Sequence, residues 1–272
     1  MSSLVPASLH PTMSTILSVL PSTIPGPIKY AFWLLLAVNI QHFPGVWHLR
    51  IIWPFIRFQW EVKLGRVWKN WRIGVEDVQK FTLSRSFRAT PDSCDSFGLH
   101  LSNSEYAVTV DHVRGPFVVQ LIGETYMIPG ATFALGATSF EYKKEIPIMG
   151  KFTVENSLLG YDKKWLYVQT RFHSLPHPKT GAVTTYALVL SHVVMKHNRR
   201  TISPHRAIAL AGYGAQHGKQ NWEIVQKLSA KEKLQWLVEE GEGAKKGQGI
   251  VVGEVELGMD KKGEWPGQLK RD

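Results

Sequence analysis

The chain has 272 residues, of which 44% are apolar and 20% charged, with one cysteine and a formal net charge of +10. This composition is enough for a full hydrophobic core, and a single cysteine excludes an internal disulfide. The length predicts one domain of about 150–200 residues with added segments. The positive charge favours a membrane surface, a nucleic acid or a phosphorylated carrier as partner, although a soluble basic protein without such a partner is an equal alternative.

Residues 1–60 differ from the rest of the chain, because no Asp or Glu precedes Glu61. Residues 1–27 are rich in Ser, Pro and Thr, which predicts a disordered N-terminus. Residues 28–43 are apolar, most strongly at residues 31–38, but they are shorter than the ~20 residues of a straight membrane span.

A second stretch, residues 46–60, mixes three tryptophans with two arginines: Trp47, Arg50, Trp53, Arg57 and Trp60. Aromatic and basic side chains together are typical of a membrane–water interface. We therefore predict that residues 28–60 form a membrane anchor or interfacial segment, either as one transmembrane helix or as a re-entrant element. A helical hairpin buried against the domain is the alternative. A cleaved signal peptide is disfavoured, because no basic region precedes the apolar stretch.

Basic residues lie mainly after this apolar stretch, and Lys29 alone precedes it. The positive-inside rule then predicts a membrane-associated protein whose folded domain lies on the cytosolic side. The endoplasmic reticulum is the candidate membrane. After the anchor, residues 61–80 are amphipathic and predict a linker helix.

Residues 81–89 alternate apolar and polar side chains, which predicts a first strand with a slip at Arg85-Ser86. A polar loop follows and leads into a helix, because Ser102 and Glu105 have the spacing of a capping box. Large side chains then recur at helical period: Tyr106, Val110, Val113, Phe117 and Leu121. Gly115-Pro116 predicts a kink or an early end of this helix.

The loop delivers Asp95, His100 and Asn103 to the predicted helix N-terminus. Free N–H groups and the positive end of the helix dipole can hold an oxyanion there. A carboxylate beside such donors is a candidate hydrolytic site. The same pattern is also typical of a simple cap and turn.

The segment Asp95-Ser-Phe-Gly98-Leu-His100-Leu-Ser-Asn103-Ser-Glu-Tyr106 resembles the Asp-x-x-Gly-His-x-Asn-Asn-x-x-Tyr motif of hotdog-fold acyl thioesterases of the 4-hydroxybenzoyl-coenzyme A thioesterase type. The departure is one extra residue, Leu99. The variant is more similar to fungal biosynthetic-cluster thioesterases and to the thioesterase superfamily member six group, where a Leu/Val-Asp-x-x-Arg step follows, here residues 110–114. Three later blocks also resemble that group: residues 158–167, 172–175 and 199–204.

The remaining pattern fits an α+β hotdog fold, in which an antiparallel sheet wraps around one long central helix. Four strand-like runs follow the helix: residues 136–144, 151–159, 165–173 and 183–196. The resemblance places the hotdog domain at residues 81–210. Residues 211–272 then form a C-terminal helix, over residues 225–240, and a flexible tail.

The resemblance implies a role for each site residue. Asp95 would activate water or attack the thioester directly, and His100 and Asn103 would orient the water or the carbonyl. Substrate contacts are expected from Ser102 and Ser104, whose amides would hold the thioester oxygen, and from Tyr106, although packing of the helix against the sheet is the favoured role of that tyrosine. The helical spacing of Asp111 and Arg114 predicts a structural ion pair. The resemblance also implies a homodimer, because hotdog sites usually lie between two subunits.

The expected function is hydrolysis of acyl-coenzyme A or acyl-carrier-protein thioesters, in fungal secondary-metabolite (polyketide or lipopeptide) or lipid metabolism. The alternative is a catalytically silent, membrane-associated protein that binds acyl chains, because the extra Leu99 could turn His100 away. No cofactor, metal or nucleic acid is expected: His173 and His177 lack further ligands at metal spacing, and no recognition motif is present. Cys94 adjoins the motif, but a half-buried inert thiol is favoured over a nucleophile.

Overall fold

The computed structural model describes residues 19–38, 40, 43, 45–66, 78, 81–213, 223–225 and 227–238. The predictions for residues 1–18, for most of the linker helix and for the tail after Val238 lie outside these ranges. The chain divides into two units, Met1–Trp47 and His48–Asp272. In the first unit, helix α1 (Gly26–Val38) exposes large apolar side chains, among them Leu34 and Leu35. Within the described ranges, no helix has both the length and the hydropathy required to cross a membrane.

The other elements, in chain order, are α2 (Val46–Lys63), β1 (Thr82–Arg88), α3 (Asn103–Ile122), β2 (Ala131–Tyr142), β3 (Lys151–Tyr161), β4 (Trp165–Ser174), β5 (Thr185–His197), β6 (Arg200–Ile202), α4 (Pro204–Leu210) and α5 (Ala230–Val238). The strands form one antiparallel sheet in the order β1-β3-β4-β5-β2, and β6 pairs with β5. The predicted antiparallel α+β arrangement is confirmed. β2 begins at Ala131 rather than at the predicted residue 136, and β6 was not predicted.

Helix α3 is the centre of the core. Its apolar stripe is buried as the helical period predicts, and Val110, Val113, Phe117 and Leu121 are each 0% exposed. The sheet contributes alternate side chains from its inner face, including Phe152, Val154, Phe172 and Val189. Burial of one long helix against a sheet therefore supplies most of the apolar contact that stabilises this domain.

Helix α3 continues through Pro116 to Ile122, so of the two predicted outcomes, a kink or an early end, the early end is wrong. Proline has no N–H, so the carbonyl of His112, four residues earlier, loses its usual helical donor. The guanidinium of Arg85 donates to that carbonyl instead, at 3.3 Å. The predicted slip in β1 is also wrong, because the strand pairs regularly and Arg85 takes an inward position between Leu83 and Phe87.

Helix α2 packs against α3 through aromatic side chains. Phe58 is 1% exposed, and a Cβ on Gly115 would lie 3.2 Å from the ring of Phe55. The Phe55 ring also stacks on Phe133 of β2, with centroids 6.3 Å apart. One face of α2 thus belongs to the core, while other apolar side chains of α2 are exposed. The alternative of a buried helical hairpin stays a prediction.

A β-bulge in β2 leaves space for a tryptophan. The register of β2 with β5 shifts between Leu135 and Ala137, at Gly136. A Cβ on Gly136 would overlap the ring of Trp165, so the close approach of that ring requires glycine. The ammonium group of Lys164 lies over the Trp165 ring, 4.5 Å from the ring centroid.

Arg85→Met should lower the free energy of unfolding by about 1–2 kcal/mol, because the carbonyl of His112 loses a charged donor. Pro116→Ala restores an N–H to the same carbonyl. In that background, Arg85→Met should cost about 1 kcal/mol less. Urea denaturation of the wild type, the two single variants and the double variant measures this coupling.

The matched control is Arg88→Met on the same strand, where the exposed arginine donates to the carbonyl of Met149 at 2.9 Å. This control should show no coupling with Pro116→Ala. The coupling is the decisive quantity, since Arg85→Met also removes repulsion between Arg85 and nearby arginines. Equal costs of Arg85→Met in both backgrounds would contradict the role given to Arg85.

Candidate active site

The motif loop is a small hairpin directly before α3. Cys94 and Leu101 pair across its base. The N–H of Asp95 donates to the carbonyl of His100 at 2.9 Å, and the N–H of Gly98 donates to the carbonyl of Asp95 at 2.8 Å. Gly98 has φ +67°, a left-handed conformation that glycine adopts without strain. The loop therefore holds Asp95 and His100 side by side at the entrance to the helix.

The carboxylate of Asp95 accepts hydrogen bonds from the N–H groups of Leu99 at 2.9 Å and of His100 at 3.3 Å. These bonds, led by that from Leu99, hold the pKa of Asp95 below its usual range. An ionised, partly exposed carboxylate can attack a carbonyl carbon or position a water, but its low pKa makes it a weak general base. The inserted Leu99 thus supplies the main bond that fixes this carboxylate.

His100 faces both the helix start and a loop that the sequence did not single out. Its Nδ1 lies 3.2 Å from the carbonyl oxygen of Leu101, and its Nε2 lies 3.7 Å from a carboxylate oxygen of Glu145. The backbone after Glu145 holds the motif loop in place, because the N–H of Leu101 donates to Ile146 and that of Ile148 donates to Leu99. Neither periodicity nor a motif in the sequence marks this segment.

Ser102 is the N-cap of α3, and its hydroxyl accepts from the N–H of Glu105 at 3.3 Å. A capping box has two hydrogen bonds, and this one, from the N–H of Glu105 to the Ser102 side chain, is confirmed. In the other half of a capping box the N-cap N–H would meet the Glu105 side chain, but the N–H of Ser102 donates to the carbonyl of Ser93 at 3.0 Å. The Ser102 and Ser104 hydroxyls lie 3.1 Å apart, and Asn103 is exposed at the first helical position.

Tyr106 lies inside the core. It is 3% exposed, and its ring contacts Tyr142 and Phe172 with centroid distances of 5.2 and 4.9 Å. Burial raises the pKa of Tyr106 to about 12. The predicted packing role of Tyr106 is confirmed, while a substrate contact through this ring stays a prediction.

The structure joins Asp95 to His100 and Ser102 to Ser104, while Tyr106 lies among core rings. The hydrogen bonds of the Asp95 carboxylate run to amides of its own loop rather than to amides of the α3 N-terminus. Its orientation toward the helix start in a complex with substrate therefore stays a prediction. Apo carboxylates of this kind often align only when substrate binds.

The motif block at residues 158–167 holds a turn together through Asp162. Asp162 accepts hydrogen bonds from the N–H groups of Lys164 at 2.7 Å and Trp165 at 2.6 Å, and from the hydroxyl of Tyr167 at 2.7 Å. Although burial acts in the opposite direction, these bonds, led by that of Tyr167, lower the pKa of Asp162. The block from residue 158 to 167 therefore closes the β3–β4 hairpin rather than supplying chemistry.

The predicted ion pair of Asp111 and Arg114 is confirmed. Arg114 is 8% exposed and also donates to the hydroxyl of Ser191 on β5 at 3.0 Å. The pair ties α3 to the sheet. Cys94 is partly buried, as predicted, and burial followed by the neighbouring carboxylates of Asp95 and Asp92 raises the pKa of its thiol. A protonated thiol is a poor nucleophile.

A cavity of about 420 Å³ opens between α2, β1 and α3. We call it the arginine cavity; its lining consists of Arg50, Trp53, Pro54, Arg57, Leu83, Arg85, Phe87, His112 and Gln120. None of these residues was a predicted site residue. The signal that could have revealed it is Arg85, a charged residue at a position of β1 where alternation calls for an apolar one.

Comparison with known proteins identifies the family. The family model of the thioesterase-like superfamily matches residues 89–232, which is more than half of the chain. The protein therefore belongs to the thioesterase-like superfamily, and the resemblance to hotdog acyl thioesterases is confirmed. Helix α2 and strand β1 precede the matched residues.

Three relatives carry related names. Thioesterase lcsJ of Purpureocillium lilacinum is 25% identical over 217 residues, which cover 66% of this chain and 70% of that protein. A probable thioesterase of Saccharomyces cerevisiae is 33% identical over 128 residues, covering 46% and 52%. Protein THEM6 of Drosophila melanogaster is 27% identical over 132 residues, covering 47% and 65%.

Among solved structures, a 4-hydroxybenzoyl-CoA thioesterase mutant in complex with 4-hydroxybenzoyl CoA is similar to 45% of this chain and 92% of its own. The sequence identity is 11% and the TM-score 0.39. At this TM-score the likeness supports no argument about mechanism.

The carboxyl group of Asp95 should titrate below its ordinary pKa of about 3.9. The hydrogen bonds from Leu99 and His100 favour the charged form, so their contribution to stability is present above the ordinary pKa and is lost as the pH falls through the lowered one. A carbon-13 NMR titration of side-chain carboxyls measures this, with Asp95→Asn to assign the signal. A midpoint above about 4 would show that the loop amides do not hold the carboxylate.

Proposed function

We propose that this protein is an acyl thioesterase that hydrolyses the thioester of acyl-coenzyme A or of an acyl carrier protein. The observation that carries the proposal is the carboxylate of Asp95, held ionised in the loop that leads into the N-terminus of the buried helix α3. Membership of the thioesterase-like superfamily and the names of its relatives support the same reaction.

In the proposed mechanism, the thioester carbonyl lies at the N-terminus of α3. The first N–H groups of a helix have no helical acceptor and carry partial positive charge, so they can stabilise the oxyanion. Asp95 either attacks the carbonyl carbon, so that the carbon–sulfur bond breaks and a mixed anhydride forms that water then hydrolyses, or it holds the water that attacks the carbon directly. In both routes one water is consumed: its hydroxyl completes the acid and its proton goes to the departing thiolate. His100 and Asn103 orient the reacting groups, and the amide of Ser104 holds the thioester oxygen. The amide of Ser102 already donates to the carbonyl of Ser93, and Tyr106 packs the helix against the sheet.

The substrate within this class stays open. Coenzyme A and a carrier protein present the same phosphopantetheine thiol, so the proposal covers both. The resemblance implies fungal secondary metabolism or lipid metabolism as the setting of the reaction.

Asp95→Asn should lower the rate of thiol release from acyl-coenzyme A by about 100-fold or more, because a neutral amide neither attacks nor activates water. The fold should be unchanged, since the side chain is at the surface and Asn can still accept from the loop amides. Steady-state kinetics over a panel of acyl thioesters, with circular dichroism of both proteins, measures the effect.

The matched control is Asp92→Asn, which removes a carboxylate from the same loop outside the motif and should retain activity. Full activity of Asp95→Asn would exclude that residue from the chemistry. A wild-type protein that binds acyl-coenzyme A but never releases thiol would favour the silent acyl-binding alternative.

We further propose that α2 holds the protein at a membrane surface. Its exposed large side chains follow a helical stripe: Leu49, Ile52, Trp53, Ile56 and Trp60. A stripe of tryptophan and aliphatic side chains flanked by arginines suits the interface of an anionic membrane. The exposed apolar side chains of α1 and the net charge of +10 favour the same interpretation. The domain would then face the cytosol, with the endoplasmic reticulum as the candidate membrane.

Ile56→Ser with Trp60→Ser should abolish flotation of the protein with anionic liposomes, because both substitutions remove exposed apolar area from the stripe. Leu175→Ser, at an exposed apolar site on the loop after β4, is the control and should float like the wild type. Unchanged flotation of the double variant would contradict the proposal.

We also propose a homodimer. Strand β2 is the last strand of the described sheet, and its outer edge is available for pairing with a second subunit. The 12-residue length of β2 is sufficient for a continuous sheet across a two-fold axis.

A further inference from the structure

The arginine cavity concentrates positive charge from separate elements. Arg50 and Arg57 lie on one face of α2, and Arg85 reaches in from β1. The residues that line the cavity include no carboxylate, and Glu61, outside the lining, pairs with Arg57 at 2.7 Å. Three guanidinium groups therefore converge on one concave space.

The charges in this cavity act on one another. Burial, followed by the charges of Arg57 and Arg50, lowers the pKa of Arg85. Burial, followed by Arg50 and Arg85, lowers the pKa of His112 to about 4, so its imidazole is neutral at physiological pH. Holding like charges together in a partly dry site costs free energy, and a bound anion would offset that cost.

His112 adds a polar group without a protein partner. It is 4% exposed, and its Nδ1 is buried with no hydrogen-bond partner in the described structure. A buried polar atom left unpaired is destabilising unless a ligand or water meets it. The neutral imidazole can donate one N–H to an anionic oxygen. Arg85 donates one of its five N–H groups to the His112 carbonyl, and this bond orients its guanidinium toward the arginine cavity.

The chemistry of this lining selects phosphate. Arginine binds phosphate oxygens through paired N–H donors, and a cavity of this volume accommodates a ligand much larger than inorganic phosphate. The aromatic rings of Trp53 and Phe87 line the same space and offer flat apolar surfaces to a base or to an alkyl arm.

We propose that the arginine cavity binds the phosphate end of the thioester carrier, so that coenzyme A or phosphopantetheine spans from this cavity to the N-terminus of α3. This inference rests on the proposed function. His112 follows Asn103 by nine residues, which is about 14 Å along the helix axis. An extended phosphopantetheine arm separates its phosphate from its sulfur over a distance of this order. Two of the three arginines come from α2, so an element outside the matched superfamily region would complete the substrate site.

Calorimetric titration of the full chain with coenzyme A tests the proposal. Arg50→Gln and Arg85→Gln should each weaken binding about tenfold or more, while the control Arg88→Gln, with the same change in charge on the opposite face of β1, should stay within about twofold. Pantetheine, which lacks phosphate, should bind weakly and equally to all four proteins. In NMR titrations, the pKa of His112 should rise when coenzyme A is bound.

Three outcomes would overturn the proposal. One is an equal loss of coenzyme A binding in Arg88→Gln and in the cavity variants, which would indicate that binding depends on overall positive charge rather than on the cavity. Another is unchanged affinity in both cavity variants. The last is loss in these variants of binding to phosphatidic acid vesicles but not to coenzyme A, which would assign the cavity to a lipid head group. Arg50→Gln leaves the bond from Arg85 to the His112 carbonyl in place, so it keeps the test valid even where Arg85→Gln unfolds the chain.

Kinetics separate this inference from the proposed function. The ratio of kcat/KM for acyl-coenzyme A to that for acyl-pantetheine should fall about tenfold in Arg50→Gln and remain unchanged in Arg88→Gln. If the enzyme is active but this kcat/KM ratio is the same in Arg50→Gln as in the wild type, the phosphate site alone is overturned. A protein that hydrolyses no thioester but loses coenzyme A binding in Arg50→Gln would overturn the proposed function and leave the phosphate site in place.

Discussion

The carbonyl oxygen of His112 is the point at which the main elements of the domain are joined. Pro116 lies in the middle of the central helix and has no N–H to donate to that oxygen. Another donor inside the core must therefore form the hydrogen bond. Arg85 does so from strand β1, and this places a cation on the inward face of a strand. The second helix then lies over the same region with two more arginines. One missing N–H in the middle of a buried helix thus accounts for the inward arginine of β1.

The resemblance to thioesterases and the structure divide the motif residues into two groups. Asp162 closes a hairpin, and Arg114 joins the central helix to the sheet. Tyr106 packs the helix against Phe172 of the sheet. These residues make the fold. Asp95 and His100, by contrast, lie on an exposed hairpin whose hydrogen bonds orient side chains without burying them. Exposed loop residues fixed by a rigid scaffold are the usual location of chemistry.

Much of the fold could be predicted from local pattern. Alternation located five strands, and the cap at Ser102 located the central helix, because both signals arise within a few residues of the chain. The slip at Arg85 has a long-range cause: the bond from Arg85 to residue 112 joins two segments and cannot be read from either one alone. Strand β6 has three residues and too little pattern to detect. The arginine cavity gathers side chains from three elements, and only tertiary structure brings them together.

The state of the one cysteine has a practical consequence for assays of this protein. Reagents that colour free thiols will report the released carrier against a background of at most one equivalent per chain. Cys94 is partly covered and its thiolate is disfavoured, so this background will develop slowly at neutral pH. The same residue, adjacent to Asp95, is a unique handle for a fluorescent or spin label, attached under more alkaline conditions, that would sense occupancy of the motif loop.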